Sequence, residues 1–357
     1  LHNLGCKVNA YEVEAMQQLL ENAGYETVPF EEGADVYVIN TCTVTNIADR
    51  KSRQMLHKAK KMNPDAIVVA TGCYAQADTE KLKEDTAVDL ILGNNQKTQI
   101  VEALEEYEKE HAKQVQVIEI NHTKEYEELS ISSTAEHVRA YIKVQDGCNQ
   151  FCTYCIIPFA RGRVRSRKIE EVLSEVETLA AKGYKEVVLT GIHLSSYGVD
   201  FPKEERVRLL SLIQAVSRVE GISRIRLGSL EPRIITEEFL EGIVKTGKVC
   251  PHFHLSLQSG CNKTLKNMNR RYSAQEYAEK CELIRKFYPA PALTTDVIVG
   301  FPQETEEDFE ESYEFVKKIH FYETHIFKYS RRHGTKAASM DCLLYTSPSP
   351  RDRTRSR

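Results

Sequence analysis

Short apolar runs alternate with longer amphipathic stretches along most of this sequence, and this alternation restricts the possible folds more than any other feature. From about His137 onward, six apolar runs have the length and composition of buried strands. They lie at Ala140–Val144, Glu186–Thr190, Ile222–Leu227, Phe253–Leu257, Leu293–Val299 and Thr324–Tyr329. The helical stretches between them include Lys168–Ala181, Arg206–Val219, Ala274–Phe287 and Glu304–Ile319. Because a closed (β/α) barrel needs eight such units, six predict an open six-stranded (β/α) partial barrel.

Residues 1–110 repeat the alternation on a smaller scale. Predicted strands at 36–39, 66–70 and 88–92 alternate with amphipathic helices, which is typical of a small parallel α/β sheet domain. Residues 111–136 are charged and weakly periodic, and we interpret them as a linker crossed by one strand at 115–120. Residues 137–340 then form the partial barrel. In the tail at 341–357, residues 346–357 have no apolar side chain, which indicates a disordered basic tail or, as we favour, a non-native end.

Composition excludes several other classes of protein. The chain has 357 residues, of which 41% are hydrophobic and 28% charged, as in globular proteins and unlike disordered, collagen-like or coiled-coil chains. There is no apolar run that approaches a membrane span and no secretion signal at the start, so we expect a cytoplasmic protein without a membrane partner. Ten cysteines are too few for a disulfide scaffold of this length and favour metal binding or chemistry.

Cys148, Cys152 and Cys155 are the most specific feature of the sequence. They have the spacing C-x3-C-x2-C directly after a predicted strand. Three thiolates on one tight loop can hold three irons of a 4Fe-4S cluster and leave the fourth iron open for a substrate. Zinc is the competing metal. A structural zinc site requires four protein ligands, however, and the nearest histidines lie outside this loop.

Three more cysteines, Cys6, Cys42 and Cys73, lie in the first domain. Cys42 and Cys73 follow predicted strands, and Cys6 would also follow one if a strand preceded it. Loops after parallel strands gather at one edge of a sheet, so these cysteines could converge as a second cluster site. The alternative for each one is a small buried core residue.

The motifs around both groups of cysteines resemble those of the radical S-adenosylmethionine methylthiotransferase family. The loop with Tyr154 resembles the signature of the radical S-adenosylmethionine superfamily. The other matching stretches are Leu4–Asn9, Val38–Thr45, Thr71–Gln76, Gly147–Asn149, Cys155–Pro158 and Arg161–Gly162. The resemblance implies two 4Fe-4S clusters, one that generates a radical from S-adenosylmethionine and one auxiliary cluster. Members of the family insert sulfur into an unactivated C–H bond and methylate it.

Lys7–Asn9 and Asp49–Arg53 resemble most the branch that modifies threonylcarbamoyladenosine next to the tRNA anticodon, placing a methylthio group on C2 of the base. This resemblance implies a second S-adenosylmethionine as methyl donor and an electron donor such as flavodoxin or ferredoxin. The alternatives are the same chemistry on isopentenyladenosine of tRNA or on a ribosomal protein aspartate. An iron–sulfur electron carrier or an RNA-binding protein is the alternative of a different class. Family members end in a small β-barrel domain, which we expect to be missing because the match stops near residue 340.

Two further sets of residues are candidates for binding. Arg161, Arg163, Arg165 and Arg167 form a cationic stripe suited to tRNA phosphates, although a solvated loop or compensation of a negative cluster would also explain it. Strand ends should line the S-adenosylmethionine site, and the candidates there are Thr190, Gly191, Ser229, Glu231, Gln258 and Asp296. Asp296 would need a partner if it is buried.

The remaining cysteines and one histidine pair give no further site. Cys250, Cys261, Cys281 and Cys342 have no ligand spacing, and we interpret them as structural or incidental. We expect His252 and His254, which alternate along a predicted strand, to face opposite ways and to make a poor metal pair. The sequence names no catalytic residue.

Overall fold

The structure, a computed structural model, describes residues 1–134, 139–205 and 207–341. The chain divides into two compact units. The first comprises Leu1–Gln150, Ile156–Gly228 and Lys245–Cys250, and the second comprises Phe151–Cys155, Ser229–Val244 and the described residues from Pro251 onward. His137, Arg206, Cys342 and the rest of the predicted tail lie outside the described residues.

The first unit begins with a five-stranded parallel sheet in which the strand order follows the chain order. Its strands are β1 (His2–Asn3), β2 (Val36–Thr41), β3 (Ile67–Gly72), β4 (Leu90–Leu92) and β5 (Gln114–Gln116). Its helices are α1 (Lys7–Asn22), α2 (Asn46–Met62), α3 (Cys73–Ala77), α4 (Thr79–Glu84) and α5 (Ile100–Glu110). The small parallel sheet predicted for this part of the chain is therefore present.

Apolar side chains on both faces explain why helices cover this sheet on two sides. Along β2, Tyr37 and Ile39 pack with Leu56 of α2, whereas Val38 packs with Met16 of α1. Alternate residues of a strand point to opposite faces, so a strand in which successive residues are apolar must be covered on both faces.

The segment predicted to be a linker is part of the folded first unit. Its strand, β5, pairs in parallel with β4 and forms the fifth strand of the sheet. Further along, the carbonyl of Leu129 accepts a hydrogen bond of 2.5 Å from the Tyr11 hydroxyl. The backbone N–H of Ile131 donates to Glu175 at 2.6 Å. The strand expected within residues 111–136 is thus present, and the backbone of Leu129 and Ile131 is hydrogen-bonded to side chains of α1 and of residue Glu175.

A second, four-stranded sheet completes the first unit, in the order β7-β6-β8-β9. Its strands are β6 (Ala140–Asp146), β7 (Arg165–Ser166), β8 (Glu186–Gly191) and β9 (Arg224–Leu227). β6, β8 and β9 are parallel to one another, and the short β7 is antiparallel to β6. The helices of this part are α6 (Ile157–Arg161), α7 (Ile169–Ala181) and α8 (Leu209–Ser217).

The second unit contains a three-stranded parallel sheet in the order β10-β11-β12. Its strands are β10 (His252–His254), β11 (Ala292–Val299) and β12 (Glu323–Lys328), and its main helices are α10 (Asn262–Asn267), α11 (Ala274–Phe287) and α12 (Glu306–Ile319). α11 and α12 each begin with a capping box, at Ser273 and Thr305, so the sequence marks both starts. Another helix, α9 (Glu237–Lys245), precedes β10.

All six strands predicted for the partial barrel are present, three in each unit, as β6, β8, β9, β10, β11 and β12. Single 3-10 turns connect several elements, at Lys97–Gln99, Ile120–His122, Leu194–Ser196, Lys203–Glu205, Pro232–Ile234 and Lys336–Ser339. None of the helices in the described part of the chain is both long and apolar enough to cross a membrane.

Candidate cysteine sites and their surroundings

Cys6, Cys42 and Cys73 follow three neighbouring parallel strands of the first sheet. Cys6 follows β1 and caps the start of α1, Cys42 follows β2, and Cys73 begins α3 directly after β3. Gly72 makes the last of these turns possible. Its φ is +92°, and a Cβ there would lie 2.6 Å from the carbonyl oxygen of Thr41. The three cysteines therefore lie in loops at the same edge of one sheet, as the strand order predicts.

The electrostatics of Cys42 indicate that the three thiols lie near one another. The pKa of Cys42 is raised to about 11, mainly by burial and then by the charges of Cys73 and Cys6, against a lowering by Arg161. A thiol with this pKa stays protonated at neutral pH unless a metal displaces the proton. No disulfide joins cysteines within the described residues. Three free thiols of this kind fit the donor set of a thiolate-ligated cluster.

Cys73 is the most enclosed of the three, and its sulfur accepts hydrogen bonds from side chains. Arg161 Nε donates to Cys73 Sγ at 3.2 Å, and Asn94 Nδ2 donates to it at 3.8 Å. Cys6, in contrast, is exposed and lines a cavity of about 1020 Å³ together with Lys7, Phe30 and Tyr141. One side of this candidate site is therefore closed by protein, and the other opens to a space large enough for a nucleoside.

In the loop that follows β6, Cys148 lies in the first unit. Its N–H donates to the carbonyl of Gly162 at 3.0 Å, and Val164 N donates to Asn149 Oδ1 at 3.2 Å. Gly147 has a φ of +69°, and a Cβ there would overlap the carbonyl oxygen of Arg163 at 1.8 Å. Glycine is therefore required immediately before the first cysteine of the loop.

Cys152 and Cys155 lie in the second unit, in a turn closed by a 3.0 Å hydrogen bond from Cys155 N to the Cys152 carbonyl. Arg270 Nη1 donates to Cys152 Sγ at 3.3 Å, and the Tyr154 ring contacts Phe301 edge to face. The role of Tyr154 here is packing. The half-buried thiols of this loop, which are not in a disulfide, fit thiolate ligation of a cluster.

The cationic stripe does not form an exposed surface. The side chains of Arg161, Arg165 and Arg167 are buried, and only Arg163 is exposed. Arg165 Nη1 donates to two backbone carbonyls at 3.0 Å, and Arg167 forms a buried ion pair with Glu175. The three buried arginines contact protein groups in this structure, and RNA binding by the stripe stays a prediction.

Arg161 belongs instead to a cluster of buried charges around Glu12 and Asp146. Arg161 Nη1 is 2.7 Å from Glu12 and 3.1 Å from Asp146, and Lys143 Nζ is 2.9 Å and 2.7 Å from the same two carboxylates. Burial raises the pKa of both carboxyl groups, but Arg161 and Lys143 outweigh it and hold both pKa values well below their ordinary range. Both carboxylates are therefore charged at neutral pH.

The candidate S-adenosylmethionine residues occupy strand ends, but in different surroundings. Thr190 and Gly191 end β8 in the first unit, and Thr190 is buried. A Cβ at Gly191 would lie 2.8 Å from Gln145 Oε1, so packing against the neighbouring strand already requires this glycine. In the second unit, Ser229 is exposed, and Glu231 is ion-paired with Arg233.

Gln258 and Asp296 are adjacent in the second unit. Gln258 is buried with a φ of +74°, and its N–H donates to the Asp296 carbonyl at 2.8 Å. Non-glycine residues in this left-handed region cluster at functional sites. Asp296 is half-buried, and His254 Nε2 lies 3.3 Å from its Oδ2.

The prediction that His252 and His254 face opposite ways was wrong, because residues two apart on a strand share a face. Both are half-buried, whereas Phe253 between them is buried. One ligand atom each from His254, Asp296 and His325 lies within 4.8 Å of the others, across three adjacent strands. No local spacing signal marks this group, because its members are far apart along the chain.

Glu12 and Arg270 were not among the residues predicted from the sequence. Glu12 lies on the buried face of α1 beside Tyr11 and Ala15, and a charge within an apolar helical stripe is a visible signal of a buried partner. Arg270 reaches Cys152 across 118 residues, and no local pattern predicts that contact.

Two family models match the chain. Residues 1–93 match the Uncharacterized protein family UPF0004, and residues 142–316 match the Radical SAM superfamily. The superfamily implies one 4Fe-4S cluster and S-adenosylmethionine, as predicted, whereas a second cluster stays a prediction.

The chain is also similar to curated proteins. It is 46% identical over 340 residues to the threonylcarbamoyladenosine tRNA methylthiotransferase of Bacillus subtilis, and the alignment covers 95% of this chain and 75% of that protein. It is 48% identical to the protein of the same name from Aquifex aeolicus, over 94% of this chain and 81% of that one. It is 37% identical to the tRNA-2-methylthio-N(6)-dimethylallyladenosine synthase of Thermoanaerobacter pseudethanolicus, over 95% of this chain and 73% of that protein.

Among solved structures, the radical S-adenosylmethionine methyltransferase TsrM of Kitasatospora setae, determined with cobalamin and a 4Fe-4S cluster bound, is similar with a TM-score of 0.67. The match covers 94% of this chain and 76% of that chain at 16% identity, so it bears on the fold alone. It confirms the predicted α/β fold class. With the two family models and the curated relatives, the conclusion is that this chain belongs to the radical S-adenosylmethionine methylthiotransferase family of enzymes.

Proposed function

We propose that this enzyme places a methylthio group on C2 of N6-threonylcarbamoyladenosine next to the anticodon of a tRNA. The observation that carries the proposal is the name shared by two relatives that are 46% and 48% identical to nearly the whole chain. The two separate groups of three cysteines outside any disulfide support it, since insertion of sulfur into a C–H bond needs both a radical source and a sulfur source.

Each group of cysteines would bind one 4Fe-4S cluster. Cys148, Cys152 and Cys155 would hold the cluster that works with S-adenosylmethionine, and the auxiliary cluster would be held by Cys6, Cys42 and Cys73. When bound, the first supplies a 5'-deoxyadenosyl radical and the second supplies sulfur, while a second S-adenosylmethionine supplies the methyl group. In each group three thiolates bind one cluster and leave one iron without a protein ligand.

The residues of this chain bind and orient the reactants. Thr190, Gly191, Ser229, Glu231, Gln258 and Asp296 are proposed to contact S-adenosylmethionine, and Gln258 and Asp296 are the strongest candidates because they are adjacent and one of them is strained. The cavity at Cys6, lined by Lys7, Phe30 and Tyr141, offers one cation and two aromatic rings to a nucleoside.

For the substrate nucleoside, a relative supports a specific alternative. The Thermoanaerobacter relative is named for dimethylallyladenosine, at 37% identity, so isopentenyladenosine of tRNA is the second candidate. An aspartate of a ribosomal protein is the third. An iron–sulfur electron carrier or a non-catalytic RNA-binding protein would use the same cysteines or cations without cleaving S-adenosylmethionine. We further propose a cytoplasmic location and an electron donor of the flavodoxin or ferredoxin class.

Mass spectrometry of tRNA nucleosides tests the substrate directly. A strain that lacks endogenous methylthiotransferases is complemented with this chain, or with its Cys42→Ala variant as the matched control. We expect 2-methylthio-threonylcarbamoyladenosine with the parent chain and only the unmodified nucleoside with the variant. Methylthiolation of isopentenyladenosine instead would overturn the substrate assignment. Accumulation of neither product, with no S-adenosylmethionine cleavage by the reconstituted protein, would favour the non-enzymatic alternatives.

A further inference from the structure

The first unit contains a cluster of buried charges that neither ion pairing nor packing fully explains. We call it the Arg161 network. Its members contact one another through ion pairs of 4.0 Å or less, and their side chains are at most 3% exposed. They are the cations Lys97, Lys143, Arg161 and Arg165 and the carboxylates Glu12, Glu127 and Asp146. Four cations face three carboxylates, so the described members leave one positive charge in excess.

An excess buried charge is expensive unless an anion lies beside it. All the nitrogens of Arg161 are engaged, so its orientation is fixed. Nη1 binds Glu12 and Asp146, and Nη2 donates to Glu12 Oε2 and to Asn9 Oδ1, both at 3.0 Å. The remaining donor, Nε, points at Cys73 Sγ at 3.2 Å. The sulfur of Cys73 is therefore a position at the edge of the network where a negative charge would be stabilised.

A neutral thiol is a weak acceptor and carries no charge to balance a guanidinium group, whereas a thiolate does both. Arginine suits this position better than lysine. Its planar fork presents donors in several fixed directions, so one side chain can bind two carboxylates, an amide and a sulfur together. Lysine could offer one point charge but not this geometry.

The second unit repeats the arrangement at the other cysteine group. Arg270 Nη1 donates to Cys152 Sγ at 3.3 Å, while its Nη2 donates to the Ser256 carbonyl at 3.1 Å and its Nε to the Tyr272 hydroxyl at 2.9 Å. Each cysteine group thus has one fixed arginine that donates to one sulfur. This recurrence in two different units argues that the N–H···S contact serves the sulfur and is not incidental to ion pairing.

We infer that Arg161 is a positioning residue that, through its Nε–H···S contact, orients the Cys73 sulfur as a ligand and raises the reduction potential of the auxiliary cluster. The inference rests on the proposed function, which assigns Cys73 to that cluster. Hydrogen bonds to ligand sulfurs and net positive charge stabilise the more negative, reduced form of an iron–sulfur cluster. Removal of the Nε–H···S bond should therefore make the auxiliary cluster harder to reduce.

The test measures the auxiliary cluster alone. The full chain with Cys148→Ala, Cys152→Ala and Cys155→Ala should bind a single cluster, about four irons after anaerobic reconstitution. In this background, Arg161→Lys keeps the positive charge and loses the hydrogen bond. Arg270→Lys is the matched control at the other group. A redox titration followed by electron paramagnetic resonance gives the midpoint potential of each variant.

We expect Arg161→Lys to make reduction about tenfold less favourable, a fall of about 59 mV for one electron, and Arg270→Lys to leave the potential unchanged. An unchanged potential in Arg161→Lys, or an equal fall in both variants, would overturn the inference. If Arg161→Lys does not fold, the double variant Arg161→Met/Glu12→Gln takes its place, since it removes one cation and one anion together. The same fall in midpoint potential is expected for it. A background chain that binds no iron would instead refute the second cluster itself, and with it the proposed function.

Discussion

Arg167→Ala should destabilise this protein strongly, although the sequence alone makes Arg167 look like an RNA-binding residue. Its guanidinium group is paired with Glu175, whose side chain is 1% exposed. Removal of one partner of a buried ion pair costs about 3 to 5 kcal/mol because the other charge stays buried and unpaired. Glu175 would keep hydrogen bonds from Ile131 N and the Tyr11 hydroxyl, at 2.6 and 3.0 Å. The expected loss is therefore at the lower end, about 3 kcal/mol.

Urea denaturation of the metal-free, reduced chain measures this loss as a fall in the unfolding midpoint of about 1 M. Arg163→Ala is the matched control, since Arg163 is exposed and its replacement should change the free energy of unfolding by less than about 0.5 kcal/mol. The salt dependence of tRNA binding is measured in parallel. If Arg167→Ala were as stable as Arg163→Ala and its log–log salt slope fell by about 0.7 to 0.9, Arg167 would be a phosphate contact and our interpretation would be refuted.

Three further predictions concern the cysteines and the buried carboxylates. Cys152→Ala should abolish 5'-deoxyadenosine formation in anaerobic, dithionite-reduced protein, because two thiolates cannot hold the cluster productively; product chromatography that shows an unchanged yield would refute it. Cys42→Ala should reduce iron from about eight to about four per chain and stop sulfur insertion while S-adenosylmethionine cleavage persists; any methylthiolated nucleoside would contradict this. The pKa values of Glu12 and Asp146 are lowered by folding, so their contribution to stability is complete above about pH 4 to 5 and is lost as the pH falls towards the lowered pKa values. Urea titrations between pH 6 and pH 3 should show this loss, and Asp146→Asn should reduce it.

The sequence predicted the elements well because their signals are local. An apolar run such as Val36–Ile39 and the serine cap before α11 depend on neighbouring residues, so the pattern is complete within a few positions. The positions of Cys6, Cys42 and Cys73 required one more step, the rule that parallel strands end at a common edge, and the strand order agrees with it.

The surroundings of the cysteines could not be predicted in the same way. Arg161 is separated from Glu12 by 149 residues, and an arginine that faces solvent has the same local sequence as one that faces a buried carboxylate. The sequence signals of this buried cluster lie in the residues around Arg161. Glu12 interrupts an apolar helical face, and Lys143 interrupts a buried strand. A charge placed where the periodicity requires an apolar residue indicates a distant counter-charge.

The Arg161 network also has a consequence for the order in which this protein can mature during synthesis. Of the cations that contact Glu12, only Lys97 is present when the first sheet has left the ribosome, because Lys143 and Arg161 follow much later in the chain. A nascent chain that ends within the first 140 residues already holds Cys6, Cys42 and Cys73, yet it lacks the guanidinium group that closes over Cys73. If these cysteines hold the proposed auxiliary cluster, its assembly is expected to wait until the second sheet has been synthesised.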